Sequence, residues 1–459
     1  MAGKKTQTQL TPEEKLQQAL VPTAEQPYKV PANWCWTRLG IVSIFERGIT
    51  FPASGKEKEK SENNLPCIRT TNIQEELELE DLIYIDKKYI KNNENKLVKT
   101  NDIIMSSANS RELVGKVIYV HNIFEPMTFG GFVLVIRTKD IFNKFLFYFL
   151  RLEFLAGHFM GKSAQTTNIA NISTANLSSY CIPLPPLLEQ QRIVERIESL
   201  FAKLDEAKEN LQNVLDGFET RKAAILHKAF TGELTANWRK QHGVSMDSWE
   251  EKKLGDCGSL QRGRSKHRPR NDSRLFGEKY PFIQTGDVAN AEMYIINHSK
   301  MLSDFGLQQS KLFPKGTLCI TIAANIGKVG ILTYDCCFPD SVVGFLPNNE
   351  NICEFIYYKL TTLQKELEEL APATAQKNIN LKLLNDLKIN MPTRDEQIEI
   401  VRIIDYLFAK EQQAKELAEK AIAKIDLIKK AILARTFRGE LGTNNPADEP
   451  AVELLKRML

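Results

Sequence analysis

Two stretches of the chain carry apolar residues at alternating spacings of four and three. Ile193, Ile197, Leu200, Leu204, Ala207, Leu211, Val214 and Phe218 form one seam. Ile400, Ile404, Leu407, Ala414, Ala418, Ala421, Ile425, Ile428 and Ile432 form the other, with Glu411 as a polar interruption. A 3.5-residue repeat sustained over about four heptads predicts coiled-coil helices rather than ordinary surface helices. Thr393 and Glu396 are spaced as a capping box for the second helix. Pro186 suits the first turn of the other, and Gly232 and Gly439 suit their ends. Each helix is expected to run about 40–45 residues, roughly 60–65 Å. The small seam residues Ala207, Ala414, Ala418 and Ala421 suggest close approach of the two helices, paired antiparallel with pseudo-two-fold symmetry.

Outside these helices the pattern shortens. β-rich runs at 81–85, 102–105, 115–120 and 132–136, bounded by Asn, Gly and Asp, predict strands. A helix follows in each variable part, near 143–157 and 352–370. Thr11-Pro12-Glu13-Glu14 reads as a short helix start, and the three prolines of 21–31 as a linker.

The chain is also written twice. Glu189-Gln190, Ile193-Val194, Leu200-Phe201-Ala202-Lys203 and Ala207-Lys208-Glu209 recur as Glu396-Gln397, Ile400-Val401, Leu407-Phe408-Ala409-Lys410 and Ala414-Lys415-Glu416 at one constant offset. Phe230 and Gly232-Glu233-Leu234 recur as Phe437 and Gly439-Glu440-Leu441. Weaker matches precede each helix: Trp34 with Trp249, Gly48 with Gly263, Ile68 and Thr70 with Ile283 and Thr285, Gly115-Lys116 with Gly327-Lys328. The period is far too long for a solenoid and indicates tandem duplication of a two-part unit. The expected fold is mixed α/β: two globular α/β domains separated by a long antiparallel two-helix coiled coil, duplicated about a pseudo-two-fold. The boundaries expected are a polar segment at 1–33, a domain at 34–183, a helix at 184–236, a second domain at 237–390, a second helix at 391–441 and a tail at 442–459.

Composition narrows the function. Of 459 residues, 42% are hydrophobic and 26% charged, which excludes wholesale disorder. No run of about 18 apolar residues exists, so a membrane-spanning helix is not expected. Met1-Ala2-Gly3-Lys4-Lys5 leads into polar residues, so no export signal is expected and the location is read as cytoplasmic. The eight cysteines form no Cys-x-x-Cys pair and read as reduced, buried thiols. Catalytic signatures are missing. A Walker A loop ending at Gly115-Lys116 or Gly327-Lys328 would need glycine where Ser110 and Ile322 stand. The six histidines lack metal-ligand spacing. The formal charge of +4 permits a nucleic-acid partner.

The most suggestive chemistry is basic. Arg262, Arg264, Lys266, Arg268 and Arg270 occupy every second position, which in an extended strand places five charges on one face, suited to a phosphate backbone. Segments that recur at matched places with polar groups are the candidate DNA contacts. They are Arg47 with Arg262; Arg69, Thr70 and Asn72 with Gln284; Asn109 with Asn325; and Gln165 and Asn168 with Gln376, Lys377 and Asn378. Arg, Gln and Asn can pair bidentately with guanine or adenine edges. Lys116 and Lys328 are candidate phosphate contacts. The alternative for all of these is turn capping.

Pro185-Pro186-Leu187-Leu188-Glu189-Gln190, its copy Pro392-Thr393-Arg394-Asp395-Glu396-Gln397, and the paired endings at 230–234 and 437–441 resemble the specificity subunits of type I restriction–modification systems. The likeness runs from about Trp34 to Leu441. It implies two target-recognition domains, each reading one half of a split, asymmetric site in double-stranded DNA. It implies that the helices act as a ruler and docking surface for two methyltransferase subunits, with restriction/translocase subunits joining for cleavage. It implies no chemistry and no cofactor on this chain; S-adenosylmethionine, ATP and magnesium would belong to the partners. The alternatives are a self-contained nuclease or methyltransferase with an unrecognised site, and a coiled-coil scaffold.

Overall fold

The computed structural model describes residues 11–91, 93–160, 164–166, 169–370 and 379–459. The chain divides into two units, Met1–Asn210 with Ala421–Leu459, and Leu211–Lys420. Each therefore contains one variable domain and helix from both repeats.

In the first unit, strands Ser43–Arg47, Val133–Thr138, Ile103–Ser106 and Val117–Tyr119 form an antiparallel sheet in that order. A second sheet orders Lys56–Glu57, Ile83–Asp86, Asn64–Ile68 and Thr128–Phe129. Each of the four expected strand runs overlaps one of these strands but starts one or two residues before it. The helix Asn143–Leu155 buries Phe145, Leu146, Phe149 and Leu150 in the main core. The domain is closed by Cys35–Arg38 pairing antiparallel with Cys181–Leu184, its two ends in sequence.

The second unit repeats this plan. Gly258–Arg262, Val342–Pro347, Leu318–Thr321, Val329–Leu332 and Tyr294–Ile295 form one sheet. Lys300–Leu302, Phe276–Phe282, Cys336–Cys337 and Leu312–Phe313 form another. Helix Cys353–Thr362 buries Phe355, Ile356 and Leu360, and Glu250–Lys253 pairs with Lys388–Met391.

The helix pairing is visible inside each unit. In the first, Lys429 reaches Asp205 and Lys208 lies 3.7 Å from Asp426, so number falls on one helix as it rises on the other: the pair is antiparallel. In the second, Lys415 lies over Phe218, Arg221 pairs with Glu411 at 2.7 Å, and Lys222 lies over Phe408. Glu411, the polar break in the seam, is thus an ion-pair position. Each core is completed by the end of the other repeat's helix. Phe437 sits 5.3 Å from both Phe145 and Phe149 in the first unit, and Phe230 sits 5.4 Å from Phe355 in the second.

Three expectations about the helices need correction. The second runs unbroken over Arg394–Thr436, but the first is Leu187–Asp216 and Phe218–Phe230, interrupted at Gly217. Glycine is among the weakest helix formers, and Arg221 turns back there to donate to the Val214 carbonyl at 2.9 Å. The seam is also offset by one residue in places. Ala207, Val214, Ala414 and Ile428 are exposed, while Lys208, Leu215, Lys415 and Lys429 are half-buried. Lysine stems lie along apolar surface while their ammonium groups stay wet or paired, and Lys415 and Lys429 cover Phe218 and Phe201 in this way. Apolar periodicity alone does not register such positions. Finally, Glu396 does not complete a capping box. Its buried carboxylate accepts from Thr235 Oγ1 at 2.7 Å, Arg239 Nη1 at 2.5 Å and Trp249 Nε1 at 3.0 Å.

That arrangement explains the repeated Glu-Gln pair. Glu189, also buried, accepts from Trp34 Nε1 at 2.8 Å and Asn444 Nδ2 at 2.8 Å. Gln190 accepts the Phe142 N–H and donates to the Pro185 carbonyl; Gln397 accepts the Ile352 N–H and donates to the Pro392 carbonyl. Phe142 and Ile352 open the two core helices. In each unit, then, the Glu holds the tryptophan at the domain's first strand and the Gln holds the start of its core helix. The terminal segments are also fixed to the first unit. Thr11 and Glu14 form a capping box for the helix Pro12–Ala19. The helix Ala451–Met458 buries Ala451, Leu454 and Leu455 in the core.

Candidate nucleic-acid interface

Arg47 ends the strand Ser43–Arg47 opposite Leu134, and Arg262 ends Gly258–Arg262 opposite Val343. The next residue in each, Gly48 or Gly263, donates its N–H to the Val133 or Val342 carbonyl, at 3.1 and 2.9 Å. The turn before the facing strand is held alike: Ser107 N–H donates to the Phe132 carbonyl at 2.9 Å, and Ile322 N–H to the Ser341 carbonyl at 3.0 Å. The two arginines therefore occupy the same backbone position in unlike surroundings.

Arg47 lines a cleft, whereas the counterpart of that cleft is lined not by Arg262 but by the basic residues that follow it. In the first unit, a cleft of about 710 Å³ is lined by Arg47, Lys56, Arg69, Thr70, Phe132 and Asn171, over Ile49 and Phe51. In the second, a cleft of about 420 Å³ is lined by Arg264, Arg270, Gln284, Thr285, Lys300 and Ser341. The first two matched segments of the sequence thus meet in the first cleft, whereas the second cleft takes Gln284 and Thr285 from the second segment and Arg264 and Arg270 from the basic run. The reason is local. Arg69 N–H donates to Asn72 Oδ1 at 2.8 Å, and Gln284 N–H donates to Asp287 Oδ2 at 2.7 Å, fixing equivalent turns.

That turn corrects one residue. Asn72 is buried, and its amide also donates to the Glu78 and Asp81 carbonyls, so its polar groups are committed within the domain. Arg69 is half-buried, with Nη2 on Asp81 at 2.8 Å. Arg47 is exposed and, among the described residues, has no side-chain hydrogen bond or ion pair.

The basic run is only partly a strand, because pairing stops at Arg262 and 263–272 is a loop. All five charged residues are still exposed, and Gly263, Ser265 and His267 between them are more buried, so the alternation survives without the sheet. The run is also less unopposed than its sequence suggests. Arg270 pairs with Asp340 at 2.9 Å, Arg262 donates to the Asp340 carbonyl, and Arg264 donates to the Ser310 carbonyl at 2.8 Å. Arg268 donates to Ser265 O and His267 O. Lys266 is tied through its backbone to Gln309. His267 and Arg274 both bond Asp272, and the Arg274 hydrogen bond is the main reason that carboxyl lies well below its ordinary range.

The remaining candidates lie elsewhere. Asn109 bonds locally, donating to Ser106 Oγ and accepting from Ser110 N–H. Asn325 is exposed in a turn at φ 56°, a conformation asparagine tolerates. Gly115 and Gly327 have φ of 86° and 77°, which accounts for their repetition without any ligand. Lys116 is half-buried with Nζ on Gln74 Oε1 at 2.9 Å, and desolvation lowers its pKa. Lys328 is half-buried, its N–H on Thr321 Oγ1. Neither lysine lines either of the two clefts. Gln165 lies in the strand Ala164–Thr166, which pairs with Ile169–Asn171 and through it with Ala108–Asn109. Asn171 carries that small sheet to the first cleft. Asn168, Gln376, Lys377 and Asn378 fall outside the described residues.

Phe132, Asn171, Asp340 and Ser341 were not anticipated from sequence. Aligning the strands that begin at Val133 and Val342 would have found the pair Phe132 and Ser341, since both precede the same strand.

Comparison with known proteins gives the family and the fold. The family described as Type I restriction modification DNA specificity domain matches residues 31–216 and 246–420. The EcoKI type I specificity subunit of Escherichia coli K12 is 28% identical over 440 residues, 92% of each chain. The StySPI specificity subunit of Salmonella potsdam is 26% identical, also over 92% of each. The crystal structure of an HsdS subunit from Thermoanaerobacter tengcongensis shares the fold, with a TM-score of 0.64 at 20% identity over 91% of this chain and all of that one. Among the described residues no helix is long and apolar enough to cross a membrane. The chain belongs to the type I restriction–modification DNA specificity family, as a DNA sequence-recognition subunit of a system whose catalysis resides in other subunits.

Proposed function

We propose that the two clefts are the base-reading sites and that each reads one half of a bipartite, asymmetric sequence in double-stranded DNA. The observation that carries this reading is a matched frame with unmatched side chains. The Arg-Gly strand end, the turn at 69–72 or 284–287, and the hydrogen bond to the residue before the strand paired with that end recur in both domains. The groups displayed differ. Base contacts specify whereas backbone contacts position, so one scaffold with two side-chain sets supports two unlike half-sites.

Arg47, Arg69 and Thr70 read in the first cleft. Arg264 and Gln284 read in the second and Arg262 from the strand end that leads into it, while Lys266, Arg268 and Arg270 follow the phosphate backbone. Two methyltransferase subunits dock on the helices and restriction/translocase subunits join them. S-adenosylmethionine, ATP and magnesium belong to those partners, this chain holds no cofactor, and the complex works in the cytoplasm. The test is to exchange residues 249–390 for the corresponding domain of a relative and map methylated sites in cells supplying the partner subunits. One half of the site should change and the other should not; a change in both halves, or in neither, would refute the assignment.

A further inference from the structure

The equivalent positions Phe132 and Ser341 separate the two clefts most sharply. Phe132 follows Gly130-Gly131, and its carbonyl accepts from both the N–H and the Oγ of Ser107, at 2.9 and 3.0 Å. Its backbone is thus fixed, yet the residue is 62% exposed at the mouth of a cleft. It stands in the turn that leads into the strand Val133–Thr138, and it lines the same cleft as Arg47. Ser341 has the same carbonyl hydrogen bond but a small hydroxyl side chain, with Asp340 before it in place of Gly131.

A large apolar ring held rigidly in water beside a free guanidinium has no folding role that its burial explains. It does suit a DNA edge that is itself partly apolar. In the major groove the thymine 5-methyl is the one apolar group on any base edge, and phenylalanine is among the side chains that contact it. Arginine's bidentate partner, the guanine O6/N7 edge, faces the same groove. A wedge inserted between base steps is the other use of an exposed phenylalanine, but that mode belongs mostly to minor-groove binders.

We propose that Phe132 is a specificity-determining residue that contacts a thymine 5-methyl group in the half-site read by the first unit, and that the second unit has no such contact. The proposal rests on the cleft assignment above. Its test uses the full chain with its methyltransferase partner and duplexes carrying the mapped site, with each thymine of the first half replaced in turn by uracil, which lacks only the methyl. One position should weaken wild-type binding about fourfold, the ratio that burying one methyl-sized group supports. Phe132→Ala should abolish that sensitivity, Phe132→Leu should keep part of it, and sensitivity in the second half should stay unchanged. Circular dichroism of Phe132→Ala checks that it folds. Undiminished uracil sensitivity in Phe132→Ala, a first half without a sensitive thymine, or a Phe132-dependent kink with no uracil effect would each overturn the proposal. Arg47→Ala separates the two claims. If it leaves recognition of the first half intact, the cleft assignment falls. If it relaxes that half while Phe132→Ala stays uracil-sensitive, only the thymine contact falls.

Discussion

The first and second units share a frame and differ in how their charges are held. In the first cleft Arg47 is free among the described residues, and the turn facing it is Gly-Gly-Phe. In the second, Arg262 and Arg270 are drawn to Asp340, Arg264 is fixed on Ser310, and the facing residue is Ser341. The same contrast runs through the buried carboxylate of each unit. Glu396 faces the Arg239 guanidinium, whereas the hydrogen-bond partners of Glu189 (Trp34, Thr443 and Asn444) are neutral. The lesson is that duplication preserved backbone contacts and let the polar chemistry diverge.

The largest expected effect separates the two carboxylates. Glu396→Ala leaves Arg239 buried without its counter-charge and should cost about 3–5 kcal/mol. Glu189→Ala leaves only neutral donors unsatisfied and should cost about 1–3 kcal/mol. Urea denaturation of both variants measures this, and equal losses would show that the charge difference does not matter.

Next comes the salt response of DNA binding. Each phosphate contact contributes about 0.9 to the slope of log affinity against log salt. Lys266→Gln with Arg268→Gln should therefore lower the slope by about 1.8, and Lys56→Gln in the first cleft by about 0.9. An unchanged slope for the double variant would mean the basic loop does not meet DNA.

Asp340→Asn sharpens the contrast by releasing Arg270. Both partners are substantially exposed, so the pair should contribute less than about 1 kcal/mol to stability, while affinity for DNA should rise a few-fold. Binding that weakens instead would make Asp340 an organiser of the loop rather than a brake on it.

The smallest effect concerns the thiols, most of which are buried in both units. Burial pushes Cys35 and Cys67 in the first unit, and Cys336 and Cys353 in the second, up to about 12 from an ordinary value near 9. These groups stay neutral in the folded chain while the unfolded thiols ionise. Their contribution to stability is therefore intact below about pH 9 and lost as pH rises from there toward 12. Alkylation of the buried Cys35, Cys67 and Cys336, followed residue by residue at pH 8, should be slow until denaturant is added; fast labelling of any of the three in the native chain would contradict this burial.

The duplication, the antiparallel helices and the strand runs were legible because each repeats a pattern many residues long. The seam slipped where Lys415 and Lys429 fill apolar positions with their stems. Glu396 has the spacing of a cap, but its partners Thr235, Arg239 and Trp249 lie far away in sequence. The site was legible where a residue type and a backbone position coincide, as at Arg47 and Arg262. It was illegible where a distant segment brings side chains close, as with Asp340 against the basic loop and Phe132 in the cleft of Arg47, while Asn72 took the turn-capping role that its residue type equally allowed.

The most direct test of the paired clefts is to map methylated sites genome-wide for Arg47→Ala and Arg262→Ala in the assembled complex. Each should relax one half of the bipartite sequence, and the two should relax opposite halves, with a loss of discrimination of about 1–3 kcal/mol at the affected base. Relaxation of the same half by both variants, or an unaltered site in both, would contradict the account.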